Sequence, residues 1–454
     1  MSDFAFTQGS TASVTVIGGG LAGTEAAWQL AARGVRVRLI EMRPTATSPA
    51  HHSAGLGELV CSNSFKGTEP ASAAGLLKSE LTALGSVIME TAHETRVAAG
   101  GALAVDRDRF SAILTAKITA HPLIEVIRRE ATCLPEGHAI IATGPLTSSS
   151  FEPVLADLVG DQRLAFFDAA APIVDAESLD RDVVFAASRY DKGEGADYLN
   201  APMTREEYDA FCDALLGARR VTAKDFERKE LFQACQPAEE VARSGRDALR
   251  FGALKPVGLT DPRTGTRPWA VAQLRSENLA GSAYNLVGFQ TNLAFGEQER
   301  VFRMIPGLEH ADFLRYGVMH RNTFIDAPRL LDTTLALRTN PRVRFAGQVT
   351  GTEGYCEAAA SGLVAALNTW ADLASRPAIV LPGTTAFGSL VQYATDTATS
   401  PYQPMHVNFG IIPPLPERVR GKRERYAAYA ARAHDDLVSW LTARPDVLPS
   451  VAHG

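Results

Sequence analysis

Apolar and polar positions change period several times along this chain, most sharply near its start. Residues 14–17, VTVI, are a β-branched apolar run, and residues 35–40, VRVRLI, alternate apolar with basic side chains, so both read as strands. Between them, residues 24–33 carry apolar positions at helical spacing, entered through the glycine segment GGGLAG and left at Gly34. The acid Glu41 follows the second strand, which gives the order strand, glycine turn, helix, strand, acid. Further on, residues 76–91 show helical spacing, and so do residues 106–119, with Asp106 as the expected N-cap. Residues 124–128 and 139–143 read as strands, the latter running into Ala142-Thr143-Gly144. From about 151 to 330 the segments become short, mixed and charged. A last strand, 343–347, then ends at Gly347 and opens through QVTGTEGY into a small-residue helix, CEAAASGLVAALNTW. Residues 42–75, rich in Pro, Ser, His and Gly, form a long irregular segment of the kind that more often carries function than idles.

The first glycine turn has a physical reading. Gly18, Gly19 and Gly20 form a tight turn, with Gly18 permitting the sharp bend and Gly20 allowing backbone to approach a pyrophosphate. Gly23 lets helix and strand pack closely, and the helix N-terminus offers unbonded N–H groups to phosphates. Glu41 lies about 20 residues on, where a carboxylate reaches a ribose hydroxyl. The second turn, with Gly347, Thr350, Gly351, Glu353 and Tyr355, reads either as a second helix N-terminus for a cofactor or as plain close helix packing. One such turn at each end of the chain favours a single discontinuous FAD-binding domain over a nicotinamide Rossmann domain. The expectation is an α/β fold with a Rossmann-like FAD-binding domain of the glutathione-reductase type in two parts, 1–150 and 331–454. An α+β domain, 151–330, is inserted between them.

Composition narrows the setting. A chain of 454 residues with 46% hydrophobic and 21% charged residues fits an ordinary soluble protein of two or three domains. No apolar run is long enough to span a membrane, and the N-terminus lacks the features of a signal peptide, so a cytoplasmic protein is expected. The five cysteines, Cys61, Cys133, Cys212, Cys235 and Cys356, form no C-x-x-C pair, which points away from a disulfide framework and from a metal site. Cys61, on the polar loop LVCSNSFKG with Lys66 nearby, reads either as a nucleophile or as an inert loop thiol. Cys235, near Lys224, Arg228, Lys229 and Arg243, reads either as an activated thiol or as a buried one before Pro237. Cys133, Cys212 and Cys356 read as packing residues. The formal charge of −6 invites no nucleic acid globally, but basic clusters occur at 219–229, at 315–321 and at 418–425. Each cluster is either a solvated face or part of an RNA-facing surface.

Several blocks together carry a specific resemblance: VIGGGLAGTEAA, EMRP, GELVCSNSFK, LAVDRDRFS, ATGPLTS, LFQACQPAEEVA, GALKPVGL, FAGQVTGTEGYCEAAASGL and MHVNFGIIPPL. From about residue 14 to 426 the chain resembles the folate- and FAD-dependent tRNA (uracil-5-)-methyltransferases, the TrmFO family. The resemblance implies methylation of carbon 5 of a uridine in the tRNA T-loop. The carbon would come from 5,10-methylenetetrahydrofolate, and FAD recharged by NADPH or NADH would supply the reducing power. It implies Cys235 as uracil nucleophile and Cys61 as the thiol near the flavin, with exchanged roles left open, and Tyr355 as an aromatic on the flavin ring or a packing residue. Arg43, in EMRP, joins the cofactor residues. Ribosomal RNA as substrate and a small-molecule FAD oxidoreductase are the alternatives, and no obligate protein partner is evident.

Overall fold

The computed structural model describes residues 13–48, 50–160, 163–169, 171–191, 196–221, 236–317, 319–400 and 402–448. Cys235 and most of the basic cluster at 219–229 lie outside the described residues. The first apolar runs pair side by side: the strand Ser13–Ile17 lies parallel to Arg36–Glu41 on one side and to Ala139–Ile141 on the other. Ile124–Arg128 extends one edge, and Asn340–Phe345, from the far end of the sequence, extends the other in parallel. A short antiparallel strand, Ala336–Leu337, closes a sheet of six. Val14, Val16, Leu39, Ile140 and Phe345 are fully buried, as expected of a parallel sheet covered on both faces.

The helix Leu21–Ala31 follows the first glycine turn, and the helix Tyr355–Leu373 crosses it at backbone contact distance. A Cβ on Gly362 would sit 2.1 Å from the Ala22 carbonyl oxygen, so only glycine permits this crossing. The insertion builds a second sheet of six antiparallel strands, ordered Phe185–Ala186, Tyr198–Met203, Ala270–Ser276, Ala283–Leu286, Ile173–Asp175 and Phe313–Arg315. It has its own apolar core, in which Tyr208, Phe211, Phe289 and Phe302 are buried. An antiparallel ribbon of Arg163–Ala169 with Met319–Ile325 stands where the chain enters and leaves this unit.

The expected helix 76–91 is two helices, Ala73–Ala83 and Val87–Glu94. Gly85 at φ +72° breaks the run, and Ser86 caps the second helix by accepting from the Met89 N–H. Two buried glutamates also serve helix starts. Glu25 accepts from Ser86 Oγ at 2.7 Å and from the Ile88 N–H at 3.1 Å. Glu80 accepts from the Ala386 and Phe387 N–H groups at 2.8 and 2.9 Å, joining Ala73–Ala83 to the helix Ala386–Thr395.

Burial pushes the Glu80 carboxyl up to about 8 against the pull of those two N–H groups. A native state that holds this proton while the unfolded chain releases it near 4.5 is most stable below that pH and loses the contribution as pH rises through about 8. Melting temperature should therefore fall between about pH 5 and 8 more steeply in the parent protein than in Glu80→Gln. Parallel melting curves would show that Glu80 is ionised in the fold.

Candidate active site

A cleft opens at the carboxyl ends of the central strands, between the two glycine turns. Gly18 sits at φ +105°, and a Cβ there would lie 2.3 Å from the Ala142 carbonyl oxygen. Gly23 faces away from the cleft, where a Cβ would strike the Gly18 oxygen at 1.8 Å. Gly20, the N-cap of Leu21–Ala31, makes no side-chain cap, and a Cβ there would meet nothing within 4 Å. The first N–H groups of the helix therefore look into open space, which suits a phosphate.

This contrast separates two kinds of glycine. Gly20→Val should leave the apoprotein's melting temperature near the parent value while weakening FAD binding at least ~10-fold, measured by flavin fluorescence. Gly23→Ala should instead lower the melting temperature of the apoprotein itself. Equal losses in both would deny that Gly20 lies against the ligand.

Glu41 lines the cleft but is already engaged. Its carboxylate accepts from the Gly19 N–H at 2.7 Å, the Arg43 N–H at 3.0 Å and Arg43 Nε at 2.7 Å. Burial raises its pKa, but these hydrogen bonds and the Arg43 charge outweigh burial and hold it below the usual carboxylate range. A carboxylate has about four acceptor directions, so one remains for a ribose hydroxyl. Arg43 is 1% exposed and also pairs with Glu58 at 2.8 Å, which ties the loop 50–58 over this end of the cleft. His51 on that loop bonds Ser48 Oγ at 2.6 Å, and burial, with Arg43 beside it, pushes its imidazole down to about 4.

The second turn holds itself together. Thr350 Oγ1 donates to the Gly347 carbonyl at 2.7 Å, and Ser361 Oγ accepts from the Gly347 N–H at 2.7 Å. Gly351 packs on Tyr402, and Glu353 accepts from Gln348 Nε2 at 2.9 Å. Gly347, Gln348 and Tyr355 line the cleft, whereas Thr350, Gly351 and Glu353 are buried and shape the turn.

Cys61 is half-buried on a loop whose backbone is gripped from several sides. Arg107, at the start of the helix Arg107–Ala120, donates to the carbonyls of Leu59 and of Cys61, the latter at 3.2 Å. Arg315, from the insertion, donates to Val60 O at 2.5 Å. Tyr355 donates its hydroxyl to Ser62 O at 2.8 Å and accepts from the Cys61 N–H at 3.0 Å. Four consecutive carbonyls, from Leu59 to Ser62, are thus held by three side chains from three elements. Next along, Asn63 is buried and accepts from Arg275 at 2.8 Å. Arg107, Arg275 and Arg315 all interact electrostatically with Cys61, with the Glu277 carboxylate among them. Tyr355 also packs its ring 5.5 Å from Phe65.

Of the other cysteines, Cys212 and Cys356 are buried, and burial pushes the Cys356 thiol up to about 12, which suits packing rather than reactivity. The expectation that Cys133 packs in the core is corrected. It is exposed, because the chain after Ile124–Arg128 runs over the surface before it re-enters the sheet. Arg107, Arg315, Glu277, Glu58 and His51 carry no motif of their own by which spacing could single them out. Their only sequence signals are the irregular loop, the LAVDRDRFS block and the basic cluster at 315–321.

Comparison with known proteins adds to this geometry. The family model described as glucose inhibited division protein A matches residues 13–377. A protein of Geobacter sulfurreducens named methylenetetrahydrofolate–tRNA-(uracil-5-)-methyltransferase TrmFO is 56% identical over 432 residues, covering 95% of this chain and 99% of the relative. A Lactiplantibacillus plantarum protein of the same name is 52% identical, covering 95% and 98%. Among solved structures, Aquifex aeolicus GidA superimposes with a TM-score of 0.69 at 17% identity, covering 95% of this chain and 78% of that one, a likeness of fold. With a family model matched over most of its length and relatives of this identity end to end, the chain belongs to the glucose inhibited division protein A family and, within it, to the TrmFO proteins.

Proposed function

We propose that this chain transfers the one-carbon unit of 5,10-methylenetetrahydrofolate to carbon 5 of a tRNA uridine, in the T-loop, as an FAD enzyme that uses NADPH or NADH. The observation that carries the reading is the grip on residues 59–62, which presents Cys61 among three arginines beside the dinucleotide cleft. The cleft fits FAD: the open helix start at Gly20 and the Gly18 and Gly19 turn suit the pyrophosphate, Glu41 suits the ribose, and Gly347, Gln348 and Tyr355 suit the other end. FAD, when bound, supplies the hydride that takes the added carbon to the methyl level.

Uracil C5 is a weak nucleophile until a thiolate adds to C6, so the chemistry requires a cysteine. Cys235 is proposed for that addition and Cys61 for assistance beside the flavin, including removal of the C5 proton. The base must leave its stack to reach these groups. The test is incorporation of a labelled methylene carbon into unmodified tRNA transcript, with ribosomal RNA transcript in parallel. Folate-dependent label in T-loop 5-methyluridine supports the reading. Label only in ribosomal RNA moves the substrate, and no label in either RNA alongside continued NAD(P)H oxidation favours a small-molecule oxidoreductase.

A further inference from the structure

The second glycine turn continues outward into a surface that the reaction chemistry does not use. Met405 donates to Gly351 O and accepts from the Glu353 N–H, both at 2.9 Å, so the segment beginning at 405 lies along the turn. Val407 donates to Glu357 Oε1 at 3.2 Å, and Lys66, on the strand Ser64–Gly67 that follows the Cys61 loop, pairs with the same oxygen at 3.3 Å. Phe409 comes four residues after Met405, at most ~14 Å away. Its ring lies 4.4 Å from Tyr426 and 5.4 Å from Tyr429 on the helix Lys422–Ala443. Lys422 and Arg425 lie over Tyr426, and Arg432 over Tyr429, at 5.3 to 5.8 Å. Arg432 also donates to the Pro413 and Pro414 carbonyls, which holds the proline turn against the helix.

Arg418, Arg420, Lys422, Arg423 and Arg425 are all exposed, and among the described residues no ion pair engages any of them. The two acids in this stretch are Glu417 and Glu424. The Glu424 carboxylate lies back against Gly421, at the helix start where the dipole favours it. In a chain of net charge −6, this leaves a dense run of cations without ion pairs beside stacked rings, on the segment that leaves the second glycine turn.

We propose that the surface formed by residues 409–432 is a docking site for the sugar–phosphate backbone of the RNA substrate, holding the body of the RNA while the target base enters the cleft. Its cations match phosphates and its rings offer stacking to an unpaired base. The proposal rests on RNA being the substrate.

The test compares the FAD-loaded parent protein with R418Q/R420Q/K422Q/R423Q/R425Q in filter binding of unmodified tRNA transcript across about 50 to 200 mM salt. The variant should bind on the order of 10²-fold more weakly near the low end, with the slope of log K against log salt flatter by about 3 to 4. R418Q/R420Q, outside the helix, should flatten the slope by about 2, and Y426L should weaken binding ~10-fold at every salt concentration. FAD content and melting temperature serve as fold controls. Unchanged affinity and slope in the five-fold variant, with the parent protein still methylating tRNA, would overturn the docking site and leave the substrate reading standing. A parent protein that neither binds nor methylates tRNA would overturn both.

Discussion

Cys61→Ala should abolish methyl transfer to tRNA, by ~10³-fold or more, while leaving FAD bound at the parent stoichiometry. The separation is possible because the loop is held through its backbone. The Cys61 N–H still reaches Tyr355, and the carbonyls of residues 59–62 keep their donors whatever side chain stands at 61. The variant loses the sulfur but not the cradle. Cys61→Ser keeps the shape and replaces a polarisable sulfur with a hydroxyl that stays protonated at neutral pH, so it should be nearly as inactive. FAD absorbance and label incorporation, measured on the same preparation, decide the matter. Activity within ~10-fold of the parent in both variants would remove Cys61 from the chemistry and leave Cys235 to account for it alone.

What the sequence makes legible here is local. Gly18 and Gly347 are readable because a positive φ at a turn is a demand on one residue, and glycine meets it without help from the rest of the fold. The order strand, turn, helix, strand fixes which end of the sheet the cleft occupies, and the second turn at 347 signals that the sheet draws strands from both ends of the chain. The Cys61 cradle has no such signature. Its acceptors are backbone carbonyls, which every residue has, and its donors stand at 107, 315 and 355, brought together only when the insertion docks on the first unit. The break at Gly85 was hidden for a related reason. The apolar spacing persists across it, and only the buried Glu25 carboxylate, far off in sequence, rewards starting a new helix at Ser86. Glu41 shows a third case, since its position was readable and its prior engagement by Arg43 and Gly19 was not.

Arg107→Leu should be the most damaging single change that leaves both cysteines in place. Arg107 donates to Glu277 Oε2 through Nε at 2.9 Å, with Nη2 2.8 Å from the same oxygen, and grips the loop on either side of Val60. Burial lowers its pKa, and the Glu277 charge more than restores it. Removing the guanidinium takes the hydrogen-bonded partner from Glu277, which is 6% exposed and whose Oε1 already has no hydrogen-bond partner among the described residues, and leaves it only the charges of Arg275 and Arg315. Breaking a buried pair in this way costs about 3–5 kcal/mol, to be read from denaturant midpoints. Methyl transfer should fall ~10²-fold as well, because a loop displaced by about 1 Å no longer presents Cys61 correctly. The double variant Arg107→Leu/Glu277→Leu tells the two effects apart. It no longer holds a buried carboxylate without its guanidinium, although Arg275 and Arg315 lose the same acid, so it should recover part of the lost stability, yet the Leu59 and Cys61 carbonyls still lack their donor and activity should stay low. Recovery of both would mean that Arg107 serves the fold through Glu277 and nothing more. Recovery of stability alone identifies it as the residue that holds the catalytic loop in place.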